Sequence, residues 1–224
     1  MHMQTLQTDL LVLSSVGLLV TTFGVVIRRS LTGWVSAYRY QSVVLAASAG
    51  VIGYATGYWE VYAAAVLTLI VKVLVIPRLL VRLTYGVEGG LKIEANPYVS
   101  IRTSLFLSPL FVALSYGVAE ELLPANLGQV ASAYLPVSVS IFFIGLFMMV
   151  SRRTALNQVV GLLVIENGIF LFTTALTQGV SLVIEVGILA DALVGVMIAS
   201  TLLVRMTQTF DTLDTGNLEK LTDE

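Results

Sequence analysis

Apolar residues run through this chain in long unbroken blocks, not in the short alternating pattern of a half-buried strand. A bilayer core of ~30 Å is crossed by about 20 apolar residues in a helix. Seven segments meet or approach that length, near 10–27, 42–58, 61–80, 101–119, 130–150, 155–176 and 182–204. The second is short and rich in Gly and Ala (AASAGVIGYATG), so it carries the weakest signal; the first, fifth, sixth and seventh carry the clearest. The pattern predicts an all-α, polytopic membrane protein of about seven transmembrane helices. The opening MHMQTLQTDL has no Lys or Arg, and neither a positive leader nor a cleavage site follows it. The first segment is therefore expected as a mature helix.

The cations give the orientation. Arg28, Arg29 and Arg39 fall between spans one and two, and Arg78, Arg82, Lys92 and Arg102 fall around the connection from three to four. Arg152 and Arg153 lie between five and six, and Arg205 and Lys220 follow seven. The alternate connections, at Trp59-Glu60, Glu120-Glu121 and Thr177-Gln178-Gly179, hold no Lys or Arg. Cytoplasmic loops carry the excess of cations, so the expectation is an outer N-terminus and a cytoplasmic C-terminus in the inner (cytoplasmic) membrane. Trp34, Tyr38 and Tyr40 flank the first inner loop, and Tyr58, Trp59 and Tyr62 the first outer turn, as interfacial aromatics do. The polar stretch 87–98 (VEGGLKIEANPY) reads as a cytoplasmic loop. Three regions follow: an N-terminal membrane region of about five helices (1–150), a helix pair (151–206) and an acidic cytoplasmic tail (207–224).

Composition narrows the function. Hydrophobic types make up 57% and charged types 12% of the 224 residues, and the mean hydropathy is +0.91. A soluble enzyme of this size cannot hide that much apolar surface. Lys and Arg number 12 against 14 Asp and Glu, so no basic patch awaits a nucleic acid. There is no Cys, and the one His is His2, which removes iron–sulfur ligation and cysteine zinc sites. No cofactor is expected, and redox chemistry linked to the chain falls to a partner.

Ionisable groups at membrane depth are costly, about 2.5–3.5 kcal/mol on an insertion scale, and usually mark ion or proton pathways. Glu166 lies in GLLVIENGIFLF, 13 residues beyond Arg153, which is ~20 Å of helix. Asp191 lies in VGILADALVGVMIA, 14 residues before Arg205, or ~21 Å. The two helices run antiparallel, so both carboxyls reach a similar depth, and neither span holds an Arg or Lys. Burial disfavours a charged carboxylate, and two such groups at one level form a candidate proton relay. The duller alternative is a pair of neutral acids bonding to neighbouring helices. Gly187, Asp191, Gly195 and Ala199 recur every four residues, a stripe of small residues that predicts a protein-facing Asp191. Asn167 adds an amide beside Glu166. Glu185 is six residues before Asp191 and turned ~120° from it; it reads as an interfacial acid or a third relay member.

Lys72, in LTLIVKVLVIPRLL, sits six residues before Arg78, ~9 Å of helix. It either snorkels to the interface or is a buried lysine exchanging charge with an acid on a partner. Glu60, just outside that span, reads as solvated. Pro77 and Pro109 are candidates to bend spans three and four.

The stretches GLLVIENGIFLF, SLVIEVGILADALVGVMIASTLLVRM and TFDTLDTGNLEKL resemble the hydrogenase-4 component E family, most specifically over about 60 residues within 155–213, more loosely around Lys72 to Pro77. That resemblance implies a membrane subunit of formate hydrogenlyase or a related group 4 [NiFe]-hydrogenase, without a redox centre. The partners implied are other membrane subunits, antiporter-like ones included, and peripheral redox subunits. The last two spans are also similar to the K subunit of complex I and the C subunit of multisubunit cation/proton antiporters. In the complex I subunit two intramembrane glutamates form part of a lateral proton path. Glu166 in IENG matches the first, and Asp191 in DALVG stands where the second is expected, one methylene shorter. The four or five preceding spans depart from that three-helix pattern, and Glu185 has no assigned counterpart.

The first reading is therefore an integral subunit passing protons through Glu166 and Asp191, with Lys72 and Glu185 second. A scaffold that anchors a peripheral arm is the alternative. A stand-alone transporter lacks the internal repeat often seen in that class, and a retinal-type receptor lacks a lysine in the last span.

Overall fold

The structure, a computed structural model, describes residues 2–85, 98–122, 128–177, 186–187, 189–191, 193–198 and 201. Among these the chain is all-α. Five helices are long and apolar enough to cross a membrane, covering Thr5–Val26, Trp59–Arg82, Ile101–Glu121, Gln129–Ser151 and Asn157–Thr177. Two further helices accompany them, Leu31–Thr56 and a shorter apolar one, Leu189–Ile198. Glu185, the 87–97 loop and the acidic tail lie outside the described residues.

Helix α1 (His2–Val26) starts well before the first apolar block, because nothing in the polar opening breaks a helix. Helix α2 (Leu31–Thr56) begins where the Ser30 hydroxyl accepts the Gly33 N–H at 3.2 Å, an N-cap. It ends on Gly57, whose φ of +77° allows its N–H to reach the Gly53 carbonyl at 2.8 Å. Arg39, Gln41, Ser42 and Ser48 all lie within α2, which makes it less apolar than its neighbours. Arg39 therefore sits on a helix and not in the connection expected for it.

Helices α3 (Trp59–Thr68) and α4 (Ile76–Tyr85) form one rod, joined by a π-helical stretch at Leu69–Val75. Pro77 explains part of this. It has no N–H for the carbonyl of Val73 four residues earlier. That carbonyl accepts instead from Arg39 Nε at 3.1 Å. The Ile76 N–H reaches back five residues to Val71, the wide-turn bond of a π-helix. Helix α5 (Ile101–Leu122) contains Pro109 without ending there.

Helices α6 (Gln129–Ser151) and α7 (Ala155–Thr177) are joined by a short turn and pack side by side along their length. Glycines set their spacing. A Cβ on Gly145 would lie 2.7 Å from the Ile165 nitrogen, and one on Gly161 or Gly168 would lie 2.9 Å from the nitrogen of Met149 or Phe142. Small residues permit this approach of backbones. The stripe expected to admit another helix, at Gly187, Asp191, Gly195 and Ala199, has no such neighbour within this chain at its described glycines, and Ala199 lies outside the described residues. A Cβ on Gly187 would meet nothing within 4 Å, and one on Gly195 would only graze Leu162 at 4.0 Å.

Helix α2 packs against α1, α3 and α7 and thus stands at the centre. At the end of α1, Arg152 is buried: its Nη2 donates to the Val26 carbonyl at 3.0 Å, and its guanidinium lies 5.9 Å from the Trp34 ring centroid. A cation at a helix C-terminus complements the helix dipole. The sequence places this arginine in the connection between spans five and six; in the fold it ties α1 to the α6–α7 turn.

Candidate functional site

The π-helical stretch carries Lys72, and the wide turn delivers its side chain into the bundle. Lys72 is fully buried, so it does not snorkel. Its Nζ donates to Asn167 Oδ1 at 2.9 Å and forms an ion pair with Glu166 Oε1 at 3.4 Å. It also stands 5.2 Å over the Phe170 ring, a favourable place for a cation. Asn167 and Phe170 are one turn apart on α7.

Glu166 thus has a counter-charge from the third span, although its own helix supplies none. The separate readings of Glu166 and Lys72 become one group. Its cost is bounded by two facts. Buried charges are expensive unless paired and hydrogen-bonded. Here the ammonium has a carboxylate, an amide oxygen and an aromatic face, while the Glu166 side chain keeps 13% exposure.

The polar contacts continue away from the pair. Asn167 Nδ2 donates to Gln41 Oε1 at 3.3 Å, and Gln41 Nε2 donates to Thr22 Oγ1 at 2.8 Å. Thr22 in turn donates to the Leu18 carbonyl at 2.7 Å. Four helical elements are stitched together by one buried chain: the π-helical stretch, α7, α2 and α1. Gln41 and Thr22 were not candidates from the sequence. Both sit near the cation-rich ends of their apolar blocks, where a polar residue is unremarked.

Three buried hydroxyls lie around this chain on α2 and α3. Tyr38 and Ser42 stand side by side one turn apart on α2, near enough for Tyr38 to feel the charge of Glu166. Thr68 is one turn before Lys72. Tyr38 and Ser42 approach each other without a well-formed hydrogen bond, Thr68 has none among the described residues, and Glu166 Oε1 has the Lys72 ion pair. Buried polar atoms are usually satisfied, and a buried charge pair beside several hydroxyls is an arrangement found at functional sites.

Asp191 stands apart from this enclosure. It is exposed on this chain, against the expectation that its stripe would enclose it. It is still close enough for its charge to act on Glu166. Among the described residues no group of His, Cys, Asp and Glu could hold a metal ion.

Residues 133–223 match the family described as NADH-ubiquinone/plastoquinone oxidoreductase chain 4L. Hydrogenase-4 component E of Escherichia coli K12 is 34% identical over 87 residues, 39% of this chain and 40% of that protein. The same identity and coverage are found for its namesake in Shigella flexneri. The chain is similar to hydrogenase-4 component E. The likeness carried by IENG and DALVG in the sequence is thus supported, over a limited stretch. An uncharacterized protein of Mycobacterium tuberculosis, Rv0085, is 29% identical over 207 residues, covering 92% of this chain and 93% of that one. No solved structure matches. Glu166, Asn167 and Asp191 fall inside the region matched by the chain 4L family, whereas Lys72, Gln41 and Thr22 fall outside it. The pair therefore joins that region to the part of the chain preceding it.

Proposed function

We propose that this multi-pass membrane protein is a subunit of a hydrogenase-like or complex I-like assembly, and that the Lys72–Glu166 pair takes part in proton translocation. The observation that carries the reading is the buried ion pair itself, 3.4 Å long and bordered by buried hydroxyls, which ties Glu166 of the region similar to chain 4L to Lys72 of the helices before it. An ion pair can hold or release a proton when a nearby charge changes. With the pair closed, the Lys72 ammonium balances a charge on Glu166; with Lys72 drawn away, a proton can take its place. Asp191 is the next acid in reach of its field. A carboxylate is not left facing hydrocarbon, so in this reading a neighbouring membrane subunit covers Asp191 and receives or supplies the proton. Glu185 stays a secondary candidate. Hydrogen chemistry and electron transfer, formate-linked or not, belong to other subunits.

Purification in mild detergent tests the first half: a large co-purifying assembly supports it, a lone chain defeats it. Glu166→Gln and Asp191→Asn test the second. The reading expects weakened coupled proton movement with assembly intact. The scaffold reading, which the close α6–α7 packing favours, expects coupling unchanged unless assembly fails.

A further inference from the structure

A second polar group lies nearer the membrane face that carries the N-terminus, and it does not touch the charge pair. An open cleft of about 330 Å³ lies where α1 begins, α2 ends and α6 begins. Its walls include Gln7, Thr56 and Gln129, and Leu11 and Val130 form part of its lining. One turn deeper, three residues after Leu11 and four after Val130, the Ser14 and Tyr134 hydroxyls meet at 2.6 Å. Ser48 of α2 lies buried near the same Tyr134 hydroxyl, its own O–H donating to the Val44 carbonyl at 2.9 Å. Seven residues from Ser48, ~10 Å along α2, comes Gln41, already tied to Thr22, Asn167 and so to Lys72. Between the two polar levels stand Leu18 and Leu45, both fully buried.

We propose that α1, α2 and α6 enclose an access route for water and protons, running from this cleft through Ser14, Tyr134 and Ser48 to Gln41 and the Lys72–Glu166 pair, with Leu18 and Leu45 as its gate. The route rests on the proton-handling reading of that pair. Hydroxyls suit the task because each donates one hydrogen bond and accepts others; Ser14 and Ser48 donate to the Leu10 and Val44 carbonyls at 2.7 and 2.9 Å, and rotation of each O–H away from its carbonyl lets a proton arriving on the oxygen leave to the next. The leucine layer explains why the route does not leak. A dry step of ~10 Å interrupts conduction until water enters it. Most of these residues precede the region similar to chain 4L, so the N-terminal helices acquire a task beyond anchoring.

The absence of cysteine makes the chain a ready background for thiol mapping. In membrane vesicles holding the full assembly, Ser14→Cys and Ser48→Cys are treated with a charged, membrane-impermeant thiosulfonate. Reaction requires a thiolate, which forms in water and not in apolar surroundings. The control is Leu13→Cys, at the same level on a flank with 70% exposure that faces away from the bundle. Labelling of both serine positions roughly tenfold faster than the control, from the N-terminal face only, is expected. Labelling no faster than the control, or only from the opposite face, overturns the route. In a second arm, Ser48→Leu is expected to cut proton translocation several-fold. If Glu166→Gln abolishes translocation while Ser48→Leu leaves it unchanged, the charge pair stands and the route falls. If Glu166→Gln leaves translocation unchanged, the proton reading of the pair falls, and the route with it, whatever the labelling shows.

Discussion

Replacing Lys72 by Met keeps the length and apolar stem of the side chain but removes its charge. Glu166 then loses its counter-ion at 3.4 Å, and Asn167 loses a charged donor at 2.9 Å. Breaking a buried ion pair by deleting one partner costs about 3–5 kcal/mol, because the other charge is left uncompensated. A lost hydrogen bond to a charged group accounts for about 1.5–3 kcal/mol of such a sum. Glu166→Gln is expected to cost less, because the ammonium keeps Asn167 and the Phe170 ring. The double variant, Lys72→Met with Glu166→Gln, leaves no charge to strand. Its destabilisation should fall well below the sum of the two single ones, with a coupling of about 2–3 kcal/mol. Equilibrium unfolding of the purified protein in detergent, run on all four forms, measures this coupling. Additivity within about 0.5 kcal/mol would refute the claim that the two groups act as a pair.

The other expectations concern the surrounding frame. Gly145→Val forces its side chain into the α7 backbone, where even a Cβ sits 2.7 Å from the Ile165 nitrogen; it should cost at least about 1–3 kcal/mol, read by thermal melting against Gly24→Ala, whose Cβ meets nothing within 4 Å. Arg39→Leu leaves the Val73 carbonyl without its donor and should destabilise the protein by about 0.5–1.5 kcal/mol, in the same melt. Tyr38→Phe removes a buried hydroxyl that completes no hydrogen bond, so stability should hold or rise while proton movement slows; a melt and a vesicle acidification assay together check both halves.

The helical architecture was open to reading because long apolar blocks have one structural solution in a bilayer. The charged residues at depth were open as well, since Glu166 and Lys72 break apolar runs and stand out. Their pairing was hidden. It depends on the rotation of two helices 94 residues apart in sequence, which no local pattern records. The π-helical stretch was hidden for a related reason: Pro77 announces a missing donor, but not that Arg39 would fill the freed carbonyl or that the wide turn would point Lys72 inward. Gln41, Thr22 and Tyr38 went unnoticed because neutral polar residues near the ends of a span carry no cost that marks them. The four-residue stripe around Asp191 does not pack within this chain: the close approach between helices is made by Gly145, Gly161 and Gly168, and Asp191 is exposed on this chain.

The measurement that bears most directly on the charge pair is the number of protons translocated per electron pair by the intact assembly. It is compared between the parent, Glu166→Gln and Glu166→Asp, with assembly verified for each. A fall in the ratio for Gln, with at least partial recovery for Asp, is the predicted result. An unchanged ratio for the glutamine form in a fully assembled complex would contradict it.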